Sequence, residues 1–373
     1  MRFPESSGAA APSLHDAWTT RRDQFDRLRL IAGALVIYGH SYALVNPAHG
    51  ATELLARLTR ASYAGEIAVW MFFAISGFLL SMRWLARPDA RRFVQNRVLR
   101  ILPGYAVCLL LSALLLGPLL TDLPLGRYLS DPGTWSYVLG NLSFLAMRYQ
   151  LPGVYTDLPY AGVVNGSLWS LQIEVYAYTL LLGAGLAGLL RPGRIVIAVL
   201  LGVGLTVLIA SQLTRLAPEI SPALGAFALG ALAAVHARHI PLHGALPLAA
   251  GLIFALATVL DLDLSIRRGL LLLTVSTLTL WLAYRFPQRA AARDDPSYGL
   301  YLYGFPVQQL CLSLTPGLTP MALTALALPL AGLLGWCSWR LVEAPALRWK
   351  RADSPARPAL RDAPSPTPTE SAR

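Results

Sequence analysis

The run "RLRLIAGALVIYGH", residues 27–40, is almost wholly apolar, yet Arg29 stands near its start and His40 closes it. As a helix it brings these two side chains within about 20° of one face, about 16 Å apart along the axis. In a membrane, Arg29 then sits at the cytoplasmic interface and His40 near the middle of a hydrocarbon core about 30 Å thick. An arginine at the interface can be a snorkelling anchor. A histidine at mid-membrane is expensive, and such groups are rare and usually functional.

The chain around this run has the matching composition. Of 373 residues, 55% are hydrophobic and 14% charged, which excludes an ordinary soluble domain and indicates an all-α polytopic membrane protein. The net charge of +11 is carried almost entirely by arginine, Lys350 being the single lysine. These arginines are scattered between apolar runs with no basic block interleaved with aromatics, so nucleic acid is excluded as a partner. Cys108, Cys311 and Cys337 lie in apolar runs without CxxC spacing and read as buried small hydrophobes. His236, His239 and His243 are interrupted by Pro241 and have no carboxylate nearby, so no metal is expected.

Apolar runs long enough to span occur near 28–46, 66–86, 98–119, 168–190, 194–212, 220–237, 243–260, 268–285, 297–315 and 319–342, about ten transmembrane helices. Every Lys and Arg except Arg57, Arg60, Arg127, Arg148, Arg215, Arg267 and Arg268 falls on one side of this arrangement. That bias places both termini in the cytoplasm and requires an even number of spans. Residues 1–25 and 348–373 are polar or rich in Pro, Ser and Ala and are expected to be disordered, flanking a membrane domain over 26–347. With no cleavable apolar region in the first twenty residues, the first span is expected to act as the targeting signal. The external segment 121–166 is aromatic-rich, and its "WSYVLGNLSFLAM" is too short to span. An interfacial belt is the ordinary reading of such aromatics, and sugar stacking the functional one. Neither an internal repeat nor a pair of broken helices of the transporter kind is evident.

Four further groups of polar residues stand out. "NGSLWSLQIEVYAYTLL" opens a span running inward, so Glu174 is expected about 10 Å beneath the outer surface, at the depth of His40. A carboxylate there needs a partner, and a histidine at the same depth would make an acid–base pair. Ser76 and Gly77 interrupt "MFFAISGFLLSMRW", which suits close helix packing; G-x-S-x-G is absent, so Ser76 is not read as a nucleophile. Arg97 and Arg100 stand one turn apart on "RRFVQNRVLRILP", a spacing that can fork onto phosphate or simply mark the cytoplasmic side. Glu343 precedes Pro345 where the last span should end, and is expected to pair with a cytoplasmic arginine.

Six stretches in order, Arg-x10-His in "RLIAGALVIYGH", then "FFAISGF", "RVLRILP", "LWSLQIEVY", "SYGLYLYGFPV" and "LVEAP", resemble the acyltransferase 3 family of integral membrane acyltransferases over about 27–347. The resemblance implies transfer of an acyl group, typically acetyl from cytoplasmic acetyl-CoA, to a hydroxyl of a cell-envelope carbohydrate. It also implies an inner-membrane location and no metal. It carries functional weight to Arg29 and His40, to the paired Arg97 and Arg100, and to Trp169, Ser170, Leu171 and Glu174. His40 and Glu174 are then the candidate catalytic residues, and Arg29, Arg97 and Arg100 the candidate acyl-CoA contacts. Trp169, Ser170, Ser76 and Tyr301 are candidates for substrate or oxyanion contact. Many members carry a histidine shortly after the "SYxxYL" tyrosines; here that place is Gly304, and the esterase-like domain fused to some members is missing. A transporter or flippase for a glycolipid or anion is the alternative reading, separated from an enzyme by acetyl-CoA consumption.

Overall fold

The computed structural model describes residues 11–20, 23–46, 52–197, 199, 202, 217–286 and 294–352. Among them every regular element is a helix, and β pairing is confined to isolated bridges. The short α1 (Leu14–Thr20) leads to α2 (Phe25–Val45), α3 (Leu54–Thr59), α4 (Ala64–Ala86) and α5 (Ala90–Leu111). α5 continues through a π-helical turn (Ser112–Leu116) into Gly117–Leu120. α6 (Leu125–Ser130) and α7 (Pro132–Leu142) cap one end, and α8 (Leu168–Leu186) returns. After it come α9 (Ala217–Val235), α10 (Ala245–Val259), α11 (Leu264–Arg285), α12 (Ser297–Leu314) and α13 (Pro320–Ser338).

Among the described residues five helices are long and apolar enough to cross a bilayer: Phe25–Val45, Ala64–Ala86, Ala90–Leu120, Leu264–Arg285 and Pro320–Trp349. Their neighbours α8, α9, α10 and α12 are also helical, and the span expected at 194–212 lies mostly outside the described residues. Outward faces are apolar, with Leu248, Leu252, Ile253 and Leu256 exposed on α10 and Leu326, Leu330 and Leu333 on α13. Such stripes suit hydrocarbon and not water. The chain is a multi-pass membrane protein.

α4 is buried nearly all round, with Trp70, Ile75 and Phe78 wholly inside, as a helix hydrophobic on every face should be. It packs most closely on α9. A Cβ on Gly77 would lie 2.0 Å from the Phe227 carbonyl oxygen, and one on Gly230 2.2 Å from that of Ala74. Only glycine admits this backbone approach, the usual device where helices associate without water to drive them.

α2 and α12 run parallel in register: Gly33 lies on Leu300, Ile37 on Gly304, and Gln308 Nε2 donates to the Ile37 carbonyl and to Ser41 Oγ, each at 2.7 Å. Phe25 meets Tyr284 of α11 at one end of the bundle, here the basic end. At the far end Arg268 pairs with Glu66, which accepts from Ser62 at 2.6 Å, and Arg60 pairs with Asp261 at 3.1 Å.

Two expectations are corrected. Residues 14–20 of the N-terminal segment form a helix, because Ser13 and Asp16 cap it reciprocally and Leu14 and Ala17 are buried. Backbone bonds from Leu14 and His15 to Ile240 and Ala237 fasten it to the loop after α9. The last span does not stop at Glu343. A π-helical turn (Trp339–Glu343) absorbs the missing N–H and the ring of Pro345, and α14 (Ala344–Ala352) follows. The remainder of both terminal segments lies outside the described residues.

Candidate active site

A cavity of about 90 Å³ opens between α2, α4, α5, α8 and α12 toward the basic end. Arg29, Ser76, Arg97, Arg100, Ser170, Glu174 and Tyr301 all line it, with Tyr178, Tyr298 and Phe72 completing the polar and aromatic walls. Side chains from five helices, far apart in sequence, are thus gathered around one space. His40 and Trp169 are not part of it: the Trp169 indole packs against the hydrophobic core, and His40 lies further along α2.

The arginines differ in how they are held. Arg100 is clamped by two carboxylates, Asp295 at 2.5 Å and Glu343 at 3.4 Å, and lies against the Tyr298 and Trp339 rings. This is the arginine partner anticipated for Glu343. Glu343 also accepts from Ser338 at 2.9 Å, and Asp295 from Ser297 at 2.5 Å, so the network is closed on itself. Burial raises the Asp295 carboxyl, but Arg100, Arg29 and the Ser297 bonds outweigh it and hold the group below its ordinary value. Arg29 pairs with Asp26 at 3.2 Å. Arg97 has no ion-pair partner among the described residues; its guanidinium sits over the Tyr178 ring at 5.5 Å. Arg83, in the last turn of α4, adds a guanidinium within electrostatic reach of Arg97 and Arg29. Among the described residues Arg97 is therefore a cavity arginine whose charge is not neutralised by a carboxylate, in contrast to Arg29 and Arg100.

Beside these arginines Tyr178 Oη donates to Glu174 Oε1, one helical turn away. Ser170 Oγ and Tyr301 Oη are hydrogen-bonded to each other, and Tyr301 Oη also donates to the Ser167 carbonyl at 3.0 Å. Among the described residues Ser170 Oγ has no hydrogen bond to a histidine or carboxylate.

The expected common depth of His40 and Glu174 is not what the fold produces. Asn165 Nδ2 donates to the Leu302 carbonyl at 3.0 Å, and Tyr301 reaches Ser167, so α8 starts beside the middle of α12. From that inset start α8 runs on toward the basic end, which brings Glu174 to the level of Arg29. His40 lies about 16 Å further along α2 from Arg29, edge-on to Phe305 with ring centroids 5.4 Å apart. Among the described residues its buried Nδ1 has no hydrogen-bond partner, and no hydrogen bond joins it to Glu174. A buried polar atom left unpaired in a packed core calls for a functional account. Gly304 faces Ile37, where a Cβ would come within 2.9 Å of Ile37 Cγ1, so this position is occupied by helix contact.

Reading the sequence alone missed Asp295, the strongest partner of Arg100. The available signal was "DDP", a pair of carboxylates opening a span on the basic side. Among the described residues no three His, Cys, Asp or Glu side chains gather as a metal site.

A family model described as an acyltransferase domain, acyltransferase 3, matches residues 22–340. The chain belongs to the acyltransferase 3 family. The acyltransferase is also similar to an O-acetyl transferase of Shigella phage Sf6, 29% identical over an alignment of 335 residues that covers 86% of this chain and 94% of that protein. No solved structure matches it. The matched region takes in both the arginine-lined cavity and His40, so acyl transfer is the chemistry this acyltransferase performs.

Proposed function

We propose that the protein is an O-acetyltransferase of the cytoplasmic membrane. In this reading it has ten spans with both termini in the cytoplasm, and moves acetyl from cytoplasmic acetyl-CoA to a hydroxyl of an extracytoplasmic or lipid-linked carbohydrate. The observation that carries it is the division along α2: an arginine-lined cavity at one level and, about 16 Å further on, an imidazole whose buried Nδ1 has no hydrogen-bond partner among the described residues. A donor that suits this spacing has its anionic groups and its reactive carbonyl at opposite ends of a long flexible arm, as acyl-CoA does. Arg97 and Arg29 take phosphate oxygens, while Arg100, held by Asp295 and Glu343, shapes the wall.

At the other end of the arm, a sugar hydroxyl oxygen attacks the thioester carbonyl as His40 takes the hydroxyl proton. The tetrahedral oxyanion collapses, the C–S bond breaks, and the thiolate leaves and takes up that proton. The acceptor ends as an O-acetyl ester and the donor as free CoA. The alternative role for the imidazole is to carry the acyl group itself; a labelled acetyl group trapped on His40 without acceptor would establish that route. Glu174 and Tyr178 lie with the arginines, and in this scheme they orient the donor. Ser76, Ser170 and Tyr301 supply hydroxyls along the same wall.

Mass spectrometry of envelope glycans from wild-type, deletion and His40→Ala strains tests the assignment. Acetyl esters should be lost in both altered strains, and unchanged acetylation in all three refutes it. Acetyl-CoA turnover by purified protein in proteoliposomes then ties the activity to this chain.

A further inference from the structure

At the far end, residues 121–167 form a built cap. Asn141 holds its two sides together, donating to the Tyr137 and Arg148 carbonyls at 2.8 Å each and accepting from the Arg148 N–H at 3.0 Å. Bridges between Thr121 and Val154 and between Gln150 and Val163 close the rest. Tyr155 is held at φ 57°, with its carbonyl accepting from Gly162 at 2.8 Å, so the 155–162 loop is pinned. Between α7 and this loop lies an open cleft of about 760 Å³, within the span of about 300–1,000 Å³ usual for ligand sites.

The cleft lining is a mixed surface. Ser136, Thr156 and the backbone of the two glycines Gly153 and Gly162 provide polar groups, while Met147, Leu151 and Val163 provide apolar ones. Two exposed side chains project from the same extended segment: the Arg148 guanidinium has no ion pair among the described residues, and the Gln150 amide makes no hydrogen bond there. Among the described residues no carboxylate is part of the lining itself; Asp122 and Asp131 stand directly behind it, accepting from Thr156 Oγ1 at 2.8 Å and from the Gly133 N–H at 2.7 Å. A planar forked donor beside an amide, over a floor of alternating apolar and polar groups, complements pairs of neighbouring hydroxyls, and a sugar carboxylate where one is present.

The cleft is also joined to the reaction centre. Gln309 Nε2 of α12 donates to the Tyr160 carbonyl at 3.0 Å and the Val163 carbonyl at 2.8 Å. The Tyr160 ring meets Phe305 edge-on at 6.2 Å, and Phe305 meets His40 at 5.4 Å. Two aromatic rings, Tyr160 and Phe305, therefore stand between the loop that walls the cleft and the imidazole.

We propose that this cleft binds an oligosaccharide stretch of the acceptor and delivers its hydroxyl past Phe305 to His40. The inference rests on the acetyl-transfer reading above and names the site of its acceptor. Full-length protein in proteoliposomes is given acetyl-CoA and oligosaccharides released by mild acid from the de-O-acetylated envelope polysaccharide of a deletion strain. For the Arg148→Ala/Gln150→Ala pair, acceptor KM should rise at least about tenfold while acetyl-CoA KM stays within about twofold, which also shows that the variant is folded. Separately, Gln150→Cys should react with a charged, membrane-impermeant maleimide, and the same oligosaccharides should slow that labelling. Unchanged acceptor KM with normal acetyl transfer overturns the cleft and leaves the reaction standing. Protection of the cysteine without acetyl transfer to any glycan keeps the cleft and overturns the reaction. Absence of both protection and a KM effect overturns the cleft outright.

Discussion

Arg97 and Arg100 are one turn apart on the same helix, yet replacing them should have opposite consequences. Arg100→Ala removes the cation between Asp295 and Glu343, whose side chains are 15% and 1% exposed. Two buried carboxylates are then left facing each other, a change that typically costs about 3–5 kcal/mol. With an unfolding entropy of about 2.1 cal/mol/K per residue, this lowers the midpoint of a 373-residue chain by about 4–6 °C. Arg97 has no carboxylate to abandon, so Arg97→Ala should shift the midpoint by no more than about 1 °C. Its loss is a charge-assisted contact to the donor, about 1.5–3 kcal/mol, which appears as roughly a 10- to 100-fold rise in acetyl-CoA KM. Thermal unfolding in detergent and acetyl-CoA titration on the same preparations measure both. Adding Glu343→Gln to Arg100→Ala should restore part of the lost stability, because one stranded charge is removed. Equal stability losses for the two arginine variants, or an Arg100→Ala protein of wild-type stability with only a raised KM, would refute the structural division.

Other expectations follow from single contacts. His40→Gln should lower acetyl transfer about 10²- to 10⁴-fold, the range of a lost general base, with little change in the unfolding midpoint or in acetyl-CoA binding by calorimetry. Gly304→Ala should cost about 1–2 kcal/mol, since its Cβ would press on Ile37 Cγ1 at 2.9 Å; Ile37→Ala, which removes that γ carbon, should make the two changes cost less together than the sum of each alone in unfolding measurements. Because the Asp295 carboxyl is held below its unfolded value near ~3.9, its contribution is present above that pH and is lost as pH falls through the lower folded value. An Asp295→Asn protein should be less stable than wild type at pH 6, and the gap should close as both are taken below about pH 4.

Several parts of the site could be read directly from local patterns. Arg29, Ser76, Arg97, Arg100, Ser170 and Glu174 stood out in their own stretches and Tyr301 through the family resemblance, and all seven line one cavity. Each is a polar group in an apolar run, and the cost of that placement is visible in a window of a few residues. What could not be read was which of them pair. Asp295 and Arg100 belong to different segments, and nothing within either segment records their contact at 2.5 Å. The shared depth expected of His40 and Glu174 failed for a related reason. Counting residues inward from Ser167 assumes that α8 starts at the surface, whereas Asn165 and Ser167 are tied to Leu302 and Tyr301 within the bundle.

By itself, the amino-acid order determined that this is a helical membrane protein, where its longest spans run and which residues are too costly to be incidental. Those properties follow from transfer free energies that add along contiguous residues. Only the tertiary structure decided that Arg100 is neutralised while Arg97 is without an ion pair. It alone placed Glu174 with the arginines, stood His40 apart against Phe305, and folded the 121–167 segment around a cleft. Such outcomes depend on the level at which each helix meets its neighbours. That level is set by side-chain bonds and glycine contacts between distant segments, which no local window contains.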